Sequence, residues 1–130
     1  MTQKRVEAFL AIADEEIEAA ERLCDPLPRQ AQYFLQQGVE KLIRAVLEHG
    51  GHVAGTGHNL AFLAGLLPPA HALRDRFKAF EHLSAASTRY RYPSPTGKVH
   101  SVSEGDAAKT LADVKRLRAD VTTFLREATE

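Results

Sequence analysis

The sequence lacks the features that cross-link a chain through disulfides or anchor it in a membrane. It contains one cysteine, Cys24, so no disulfide can form within the chain. No apolar stretch reaches membrane-spanning length, and the charged region after Met1 does not resemble a secretion signal. The sequence has 130 residues and a formal net charge of +0. It therefore predicts one cytoplasmic domain, 1–130, without the basic excess of a general nucleic-acid coat protein.

Patterns that carry common chemistries are missing as well. The sequence has no Ser/His/Asp set, no glycine-rich phosphate loop and no zinc-binding cysteine motif. Three histidines, His49, His52 and His58, lie close together in the sequence, but Gly50 and Gly51 interrupt the helix between them. No carboxylate or thiolate joins these histidines, so we predict no metal site. We also expect no cofactor.

The most regular feature of the chain is an apolar helical stripe in residues 31–49. At 100° per residue its members fall close to one line, and the stripe ends at two glycines that allow the chain to leave the helix. Gly38 costs about 1 kcal/mol of helix propensity, so we expect another helix to approach closely there. The stripe consists of Leu35, Val39, Leu42 and Val46, with Gly38 and Ile43 beside them.

Four further helices are predicted around this one. The first runs from about Gln3 to Cys24 and ends before Pro26, with Glu15, Glu16, Glu18 and Glu21 on its solvated side. Pro28 suits the start of the second helix. The third begins after an Asn59 or Thr56 cap and has as its apolar members Leu60, Phe62, Leu63, Leu66 and Leu67.

The fourth and last helices complete an all-α antiparallel bundle of four to five helices. The fourth is expected from about Ala70 to Ala86, with Leu73, Phe77 and Phe80 on one face. Ser103 and Asp106 have the spacing of a capping box for the last helix. Its inward residues are predicted to be Leu111, Val114, Val121 and Leu125.

The charges are divided unevenly along the chain. Residues 1–25 carry three bases against seven acids, a net of −4, whereas residues 70–100 carry six bases against two acids, a net of +4. The basic region includes the sequence Arg89-Tyr-Arg-Tyr92 in a long loop, and arginine binds phosphate while tyrosine stacks on bases. Alternatively, the tyrosines pack the loop onto the bundle and the arginines are solvated or paired with the acidic first helix.

Several segments together resemble the HEPN domain family. The second helix contains Phe34-Leu35-Gln36-Gln37, Glu40-Lys41 and Ala45-Val46-Leu47 before its glycine exit. His58-Asn59-Leu60 is similar to the Thr-His-Asp-Leu turn of one HEPN branch, and Arg89-Tyr-Arg-Tyr-Pro93 is similar to that branch's Arg-Tyr-Pro segment. The resemblance implies a small helical module for nucleotides or RNA. It also implies a homodimer and a minimal nucleotidyltransferase partner in a toxin–antitoxin-like system.

The sequence departs from HEPN ribonucleases, which carry an Arg/His pair near the start of the last long helix. Here Arg91 and His100 have eight residues between them. Arg44 and His49 lie about 140° apart around a helix, and Arg76 and His82 about 120° apart.

We therefore predict a non-catalytic module that binds nucleotide or RNA through Arg89, Tyr90, Arg91 and Tyr92, with His58 as a further contact. A metal-independent endoribonuclease using Arg76 and His82 is the alternative, and a ligand-free interaction bundle is a third. Glu40 and Lys41 are interpreted as solvated or paired with neighbouring helices.

Apolar residues outside the main stripes suggest how a homodimer could form. Leu117 and Phe124 lie nearly in line on the last helix, so they could form a second apolar strip. A two-fold interface would use such a patch against itself. The alternative is that these residues only widen the core-facing stripe. The residues concerned are Phe34, Leu83, Leu117 and Phe124.

Overall fold

A computed structural model describes residues 2–88 and 91–129, and every regular element in these ranges is helical. The predicted all-α class is therefore confirmed. The helices α1 and α2 form an antiparallel hairpin, and α5 packs across both. The bounds are α1 Thr2–Leu23, α2 Pro28–His49, α3 Leu60–Gly65, α4 Arg74–Lys78, a 3₁₀ helix Glu81–Ser87, and α5 Glu104–Thr129.

Helix α2 is the centre of the bundle, as its apolar stripe predicts. It packs against α1, α3, α5 and the 3₁₀ helix. All the predicted stripe residues are buried, including Leu35, Val39 and Leu42 at 0% exposure. A Cβ added at Gly38 would lie 3.3 Å from Ile17 Cγ1, which confirms that this glycine allows α1 to approach closely.

Helix α1 contributes Ala13, Ile17 and Ala20 to the core, and it differs from the prediction at one acid. Glu16 does not belong to the solvated side, because its carboxylate lies 3.3 Å from the Lys41 ammonium and both side chains are mostly buried. Burial raises the pKa of the Glu16 carboxyl, and Lys41 opposes that rise. Cys24 is half-buried just after α1, where burial raises the pKa of its thiol.

Helix α3 is held at its start by three side chains. Asn59 Oδ1 accepts from the Phe62 N–H at 2.8 Å, as predicted for the Asn59 cap. Two residues of the 3₁₀ helix satisfy the preceding amides: Ser84 Oγ accepts from the Leu60 N–H and the Glu81 carboxylate from the Ala61 N–H. Among the predicted apolar members of this helix, Phe62 is 61% exposed.

The predicted helix from Ala70 to Ala86 is wrong as a single element. The chain forms α4, passes through Ala79 and Phe80, and continues as the 3₁₀ helix. Glu81 and Ser84 bond α3, and Ser87 Oγ donates to the Ser84 carbonyl, so side chains here compete with regular α-helical bonding. The predicted inward face is nevertheless correct, because Leu73, Phe77 and Phe80 are buried.

Helix α5 closes the bundle and removes the expected basis for a dimer. Ser103 Oγ accepts from the Asp106 N–H at 3.0 Å, which confirms the cap. Leu83 and Leu117 are 0% exposed, and Phe34 and Phe124 pack against the same core. These four residues widen the core-facing stripes, so they do not form a free patch. Within the described ranges, no helix combines the length and apolar character needed to cross a membrane.

Candidate functional site

The basic loop begins after the 3₁₀ helix and lies against the first turns of α2. The Arg91 guanidinium sits 4.9 Å from the centroid of the Tyr33 ring and 5.8 Å from that of Tyr92. Such distances are within the range of cation–π contacts. Two of the predicted binding residues, Arg89 and Tyr90, lie outside the described residues. Arg91 therefore joins the loop to α2, in place of the alternative pairing with α1.

A tight turn fixes the middle of the loop. Ser94 N–H donates to the Lys98 carbonyl at 2.8 Å, and Gly97 N–H donates to the Ser94 carbonyl at 2.8 Å. The Ser94 hydroxyl also accepts from the Lys98 N–H at 3.0 Å. Gly97 has a φ of 84°, which favours glycine. The turn consequently presents Lys98 and Val99 on an ordered backbone.

An open cavity of about 750 Å³ lies over this loop. Its lining includes Tyr92, Lys98, Val99 and His100, and none of the described acidic residues contributes to it. Tyr92 is 63% exposed, so most of its ring is accessible to a ligand. Pockets for small ligands commonly enclose roughly 300–1,000 Å³, so the cavity is large enough for a nucleotide.

The loop cations differ from most cations of the helices. Within the described part of the chain, no carboxylate lies within ion-pair distance of Arg91 or Lys98, whereas the helical arginines are largely paired. Anions should therefore meet less competition at the loop than elsewhere. The paired arginines and their partners are Arg5–Glu48, Arg22–Glu18, Arg44–Glu40, Arg76–Asp120, Arg116–Asp113 and Arg118–Asp14.

A row of buried polar residues on α2 is the feature that sequence reasoning missed. Its members recur every fourth residue, so each lies beside the next along the helix surface. Gln36 Nε2 donates to the His58 carbonyl at 3.0 Å, and Glu48 accepts from Arg5 at 2.5 and 2.8 Å. The regular spacing of these residues is visible in the sequence, but their polar side chains suggested a solvent-exposed face. We call this row the α2 polar line: Gln32, Gln36, Glu40, Arg44 and Glu48.

Arg44 and Glu40 attach the glycine-rich loop 50–59 to α2. The Arg44 guanidinium donates to the Gly55 and Gly57 carbonyls, each at 2.6 Å. Its Nε lies 3.1 Å from Glu40 Oε2. Glu40 Oε1 in turn lies 2.8 Å from His58 Nδ1. Glu40 is therefore a buried, paired acid and not a solvated one, and His58 occupies a defined position on the bundle.

The three histidines weighed as metal ligands occupy different surroundings. His58 contacts Glu40, whereas the His49 ring lies 6.3 Å from that of Phe124. His52 is exposed, and its backbone N–H donates to the Leu47 carbonyl. Among the described residues, no group of three or more His, Cys, Asp or Glu side chains could hold a metal ion.

The alternative pair Arg76 and His82 lines one groove of about 450 Å³. Because α4 ends at Lys78, the separation expected for a continuous helix does not apply. Arg76 is paired with Asp120, and Arg116 in the same groove is paired with Asp113. An anion in this groove would have to compete with two carboxylates, which it does not meet in the loop cavity.

Comparisons with known proteins agree with this architecture. Among solved structures, the fold is similar to that of the crystal structure of TT1696 from Thermus thermophilus, with a TM-score of 0.74 and 22% identity. The alignment covers 92% of this chain and 97% of that chain, and at this identity it concerns the fold alone. No curated protein matches the sequence. The HEPN domain profile matches residues 6–124, which confirms the resemblance, and the chain therefore belongs to the HEPN domain family.

Proposed function

We propose that this HEPN domain binds single-stranded RNA or a nucleotide, without cleaving it, at the Arg91–Val99 loop. The observation that carries the proposal is a cavity lined by the exposed ring of Tyr92 and by Lys98. Arg91 lies next to Tyr92, and neither cation has a carboxylate partner among the described residues. A guanidinium binds phosphate through its planar edge. A tyrosine ring stacks on a base of any identity, typically contributing about 1–3 kcal/mol in single-strand binders.

The geometry of Arg91 suits both contacts at once. Its guanidinium carbon lies 4.9 Å from the centroid of the Tyr33 ring. A guanidinium can contact a ring with its flat face and bind phosphate with the N–H groups of its edge, so a phosphate could bind without displacing the contact with Tyr33. Tyr92, adjacent in the chain, would receive the base of the neighbouring nucleotide, and Lys98 would add a second positive charge. Arg89 and Tyr90 belong to the same proposed site.

The test is the affinity for fluorescein-labelled single-stranded RNA, measured by anisotropy. We expect Arg91→Ala to weaken binding by about tenfold, the loss of one charge-assisted contact. The slope of log Kd against log salt should fall by about 0.7 for each lost phosphate contact. Lys4→Ala is the matched control, since Lys4 is an exposed lysine on α1. Equal effects of the two substitutions would refute the proposal.

The ribonuclease alternative is favoured by one observation, the presence of Arg76 and His82 in the same groove. Proton transfer in RNA cleavage requires a base within hydrogen-bond reach of the 2′-hydroxyl. RNA incubated with the protein in chelator separates the two functions. Cleavage that disappears in His82→Ala, with binding retained, would replace our proposal by the enzymatic one.

We further propose a homodimer and a minimal nucleotidyltransferase partner, both supported by family membership. The dimer no longer rests on the four apolar residues that are part of the core. Light scattering at micromolar concentration tests it, and a mass near 14.3 kDa would refute it. Co-purification with a co-expressed nucleotidyltransferase tests the partner, and separate elution of the two proteins at micromolar concentration would refute it.

A further inference from the structure

The imidazole of His58 is held from one side and open on the other. Its Nδ1 lies 2.8 Å from Glu40 Oε1, and the Glu40 side chain is only 4% exposed. The His58 side chain itself is 57% exposed. Its Nε2 has no hydrogen-bond partner within the described part of the chain. The second Glu40 oxygen accepts from Arg44, so both oxygens of this carboxylate are engaged.

This arrangement fixes which nitrogen of the neutral ring carries the proton. An ionised carboxylate only accepts hydrogen bonds, so the nitrogen facing Glu40 must be the donor. Nε2 then carries the lone pair and points away from the buried partner. Carboxylates orient many metal-binding and catalytic histidines in this way, so that the outer nitrogen can bind its partner. His58 is therefore prepared to accept a hydrogen bond from a ligand.

The same face of α2 holds both His58 and Arg91. At 100° per residue, Glu40 and Arg44 each lie within roughly 20° of the line through Tyr33. The Arg91 guanidinium contacts the Tyr33 ring, and His58 bonds Glu40. Two helical turns separate Tyr33 from Glu40, a distance of about 10 Å along the axis. The distance from the phosphate of a nucleotide to the far edge of its base is comparable.

Between the two positions, α2 presents a half-buried polar side chain. Gln37 Nε2 donates to Gln36 Oε1 at 2.7 Å, and Gln37 Oε1 accepts from Lys41 at 3.3 Å. These bonds hold the amide in place, so the surface between Arg91 and His58 is ordered. The one acid of α2 between residues 33 and 44 is Glu40, and Arg44 already pairs with it. A phosphate on Arg91 would therefore meet little repulsion from this segment.

We propose that His58 Nε2 accepts a hydrogen bond from the exocyclic amino group of a nucleobase whose own phosphate lies on Arg91. Glu40 acts through His58 and is a positioning residue. The ligand class is thus a nucleotide with an amino-bearing base: adenine, cytosine or guanine. This proposal rests on the proposed function and adds to it a base-reading residue away from the basic loop.

The decisive comparison uses adenosine 5′-monophosphate and purine riboside 5′-monophosphate, which differ only in the amino group. We expect the protein to bind the first roughly threefold to tenfold more tightly by calorimetry, the effect of one hydrogen bond. In His58→Asn the side-chain amide can still donate to Glu40, but the outward acceptor is lost. This variant should bind both ligands equally and keep the melting temperature of the parent protein.

The outcomes separate the two proposals. If both nucleotides bind equally well to the parent protein and both are weakened by Arg91→Ala, only the role of His58 is refuted. If neither nucleotide nor RNA binds, the proposed function is refuted and the base-reading role with it. A preference for the amino-bearing nucleotide that survives in His58→Asn would also refute the role of His58.

The positioning role of Glu40 has a spectroscopic readout that loop stability alone would not give. The ¹⁵N chemical shifts of the neutral His58 ring in the unbound protein should show a protonated Nδ1 and an unprotonated Nε2. Glu40→Gln can donate to Nδ1 as well as accept, so it should mix the two tautomers and reduce the nucleotide preference. A protonated Nε2 in the neutral ring of the parent protein would overturn the inference without any variant.

Discussion

The α2 polar line and the Arg91–Val99 loop both contain charged side chains, but those of the line are buried and paired, whereas those of the loop are exposed and have no described carboxylate partner. In the line, Glu40, Arg44 and Glu48 are buried, and each charge faces an opposite charge or backbone carbonyls. In the loop, Arg91 and Lys98 are exposed, and no described carboxylate pairs with either. A buried charge is costly unless it is paired, whereas an exposed charge costs little when unpaired. The line is therefore part of the fold, and the loop is available for a ligand.

The largest expected effect comes from breaking the line at Arg44. Arg44→Met should destabilise the protein by about 3 kcal/mol or more, because the buried Glu40 carboxylate loses its guanidinium partner and keeps only the bond to the His58 imidazole. It also frees the carbonyls of Gly55 and Gly57. Urea denaturation measures the change. Arg91→Met, the same substitution in the loop, should stay within about 0.5 kcal/mol of the parent protein. Similar losses for both variants would contradict the distinction.

A smaller effect is expected in ligand binding when the loop loses its exposed ring. Tyr92→Ala should weaken RNA binding by about 1–3 kcal/mol through the lost stacking, while the urea midpoint remains unchanged. Tyr92→Phe retains the ring and should bind nearly as well as the parent protein. Anisotropy titrations compare the three proteins. A loss of affinity in the phenylalanine variant equal to that in the alanine variant would show that the hydroxyl makes the contact. That result would contradict stacking of the Tyr92 ring on a base.

Gln32 has the least complete hydrogen bonding in the α2 polar line, and its substitution refines the comparison between the line and the loop. Gln32 Nε2 donates to Thr110 Oγ1 at a long 3.4 Å, and Gln32 Oε1 is buried without a hydrogen-bond partner among the described residues. An unsatisfied buried polar atom costs roughly 1–3 kcal/mol. Gln32→Met should therefore be neutral or stabilise by up to about 1 kcal/mol. A loss like that of Arg44→Met, again measured in urea, would show that the whole line depends on continuous polarity.

The smallest expected effect is a pH-dependent change in stability at Glu48, the last residue of the α2 polar line. The hydrogen bonds from Arg5 hold the pKa of the Glu48 carboxyl below its ordinary value of 4.5. The unfolded chain then binds more protons in acid, so stability falls as pH falls through the lowered pKa. Arg5→Met should lower the urea midpoint at neutral pH, and the difference should shrink on acidification. Lys98→Met should give the same midpoint as the parent protein at every pH.

Local signals in the sequence were sufficient for much of the fold. The stripe of α2 and the caps at Asn59 and Ser103 depend on residues close in sequence, and all were predicted. The Gly38 contact is made with Ile17 of α1, but the glycine within a helical stripe was enough to predict it. The break after α4 depends on bonds from Glu81 and Ser84 to another helix, so helical periodicity could not show it. There, hydrogen bonds to α3 outweighed the local preference for a continuous α-helix.

The candidate site was less predictable. The sequence marked Arg91 and Tyr92 by charge and composition; Tyr92 lines the loop cavity, and Arg91 contacts Tyr92. It missed the burial of Glu40 and Arg44, because polar residues at regular spacing are usually solvated and their partners lie in a separate loop. The fixed orientation of His58 depends on that burial. A search for polar residues at every fourth position of the central helix would have found the line.

Arg44 holds loop 50–59 through main-chain oxygens, and this has a consequence for engineering. The contacts to Gly55 and Gly57 do not involve side chains of the loop, and Val53 is 71% exposed. Residues at 52 and 53 can therefore be exchanged for a fluorophore or an affinity tag without touching what attaches the loop. A label placed there would report on His58 from a few residues away. The loop is thus a natural attachment point for a biosensor.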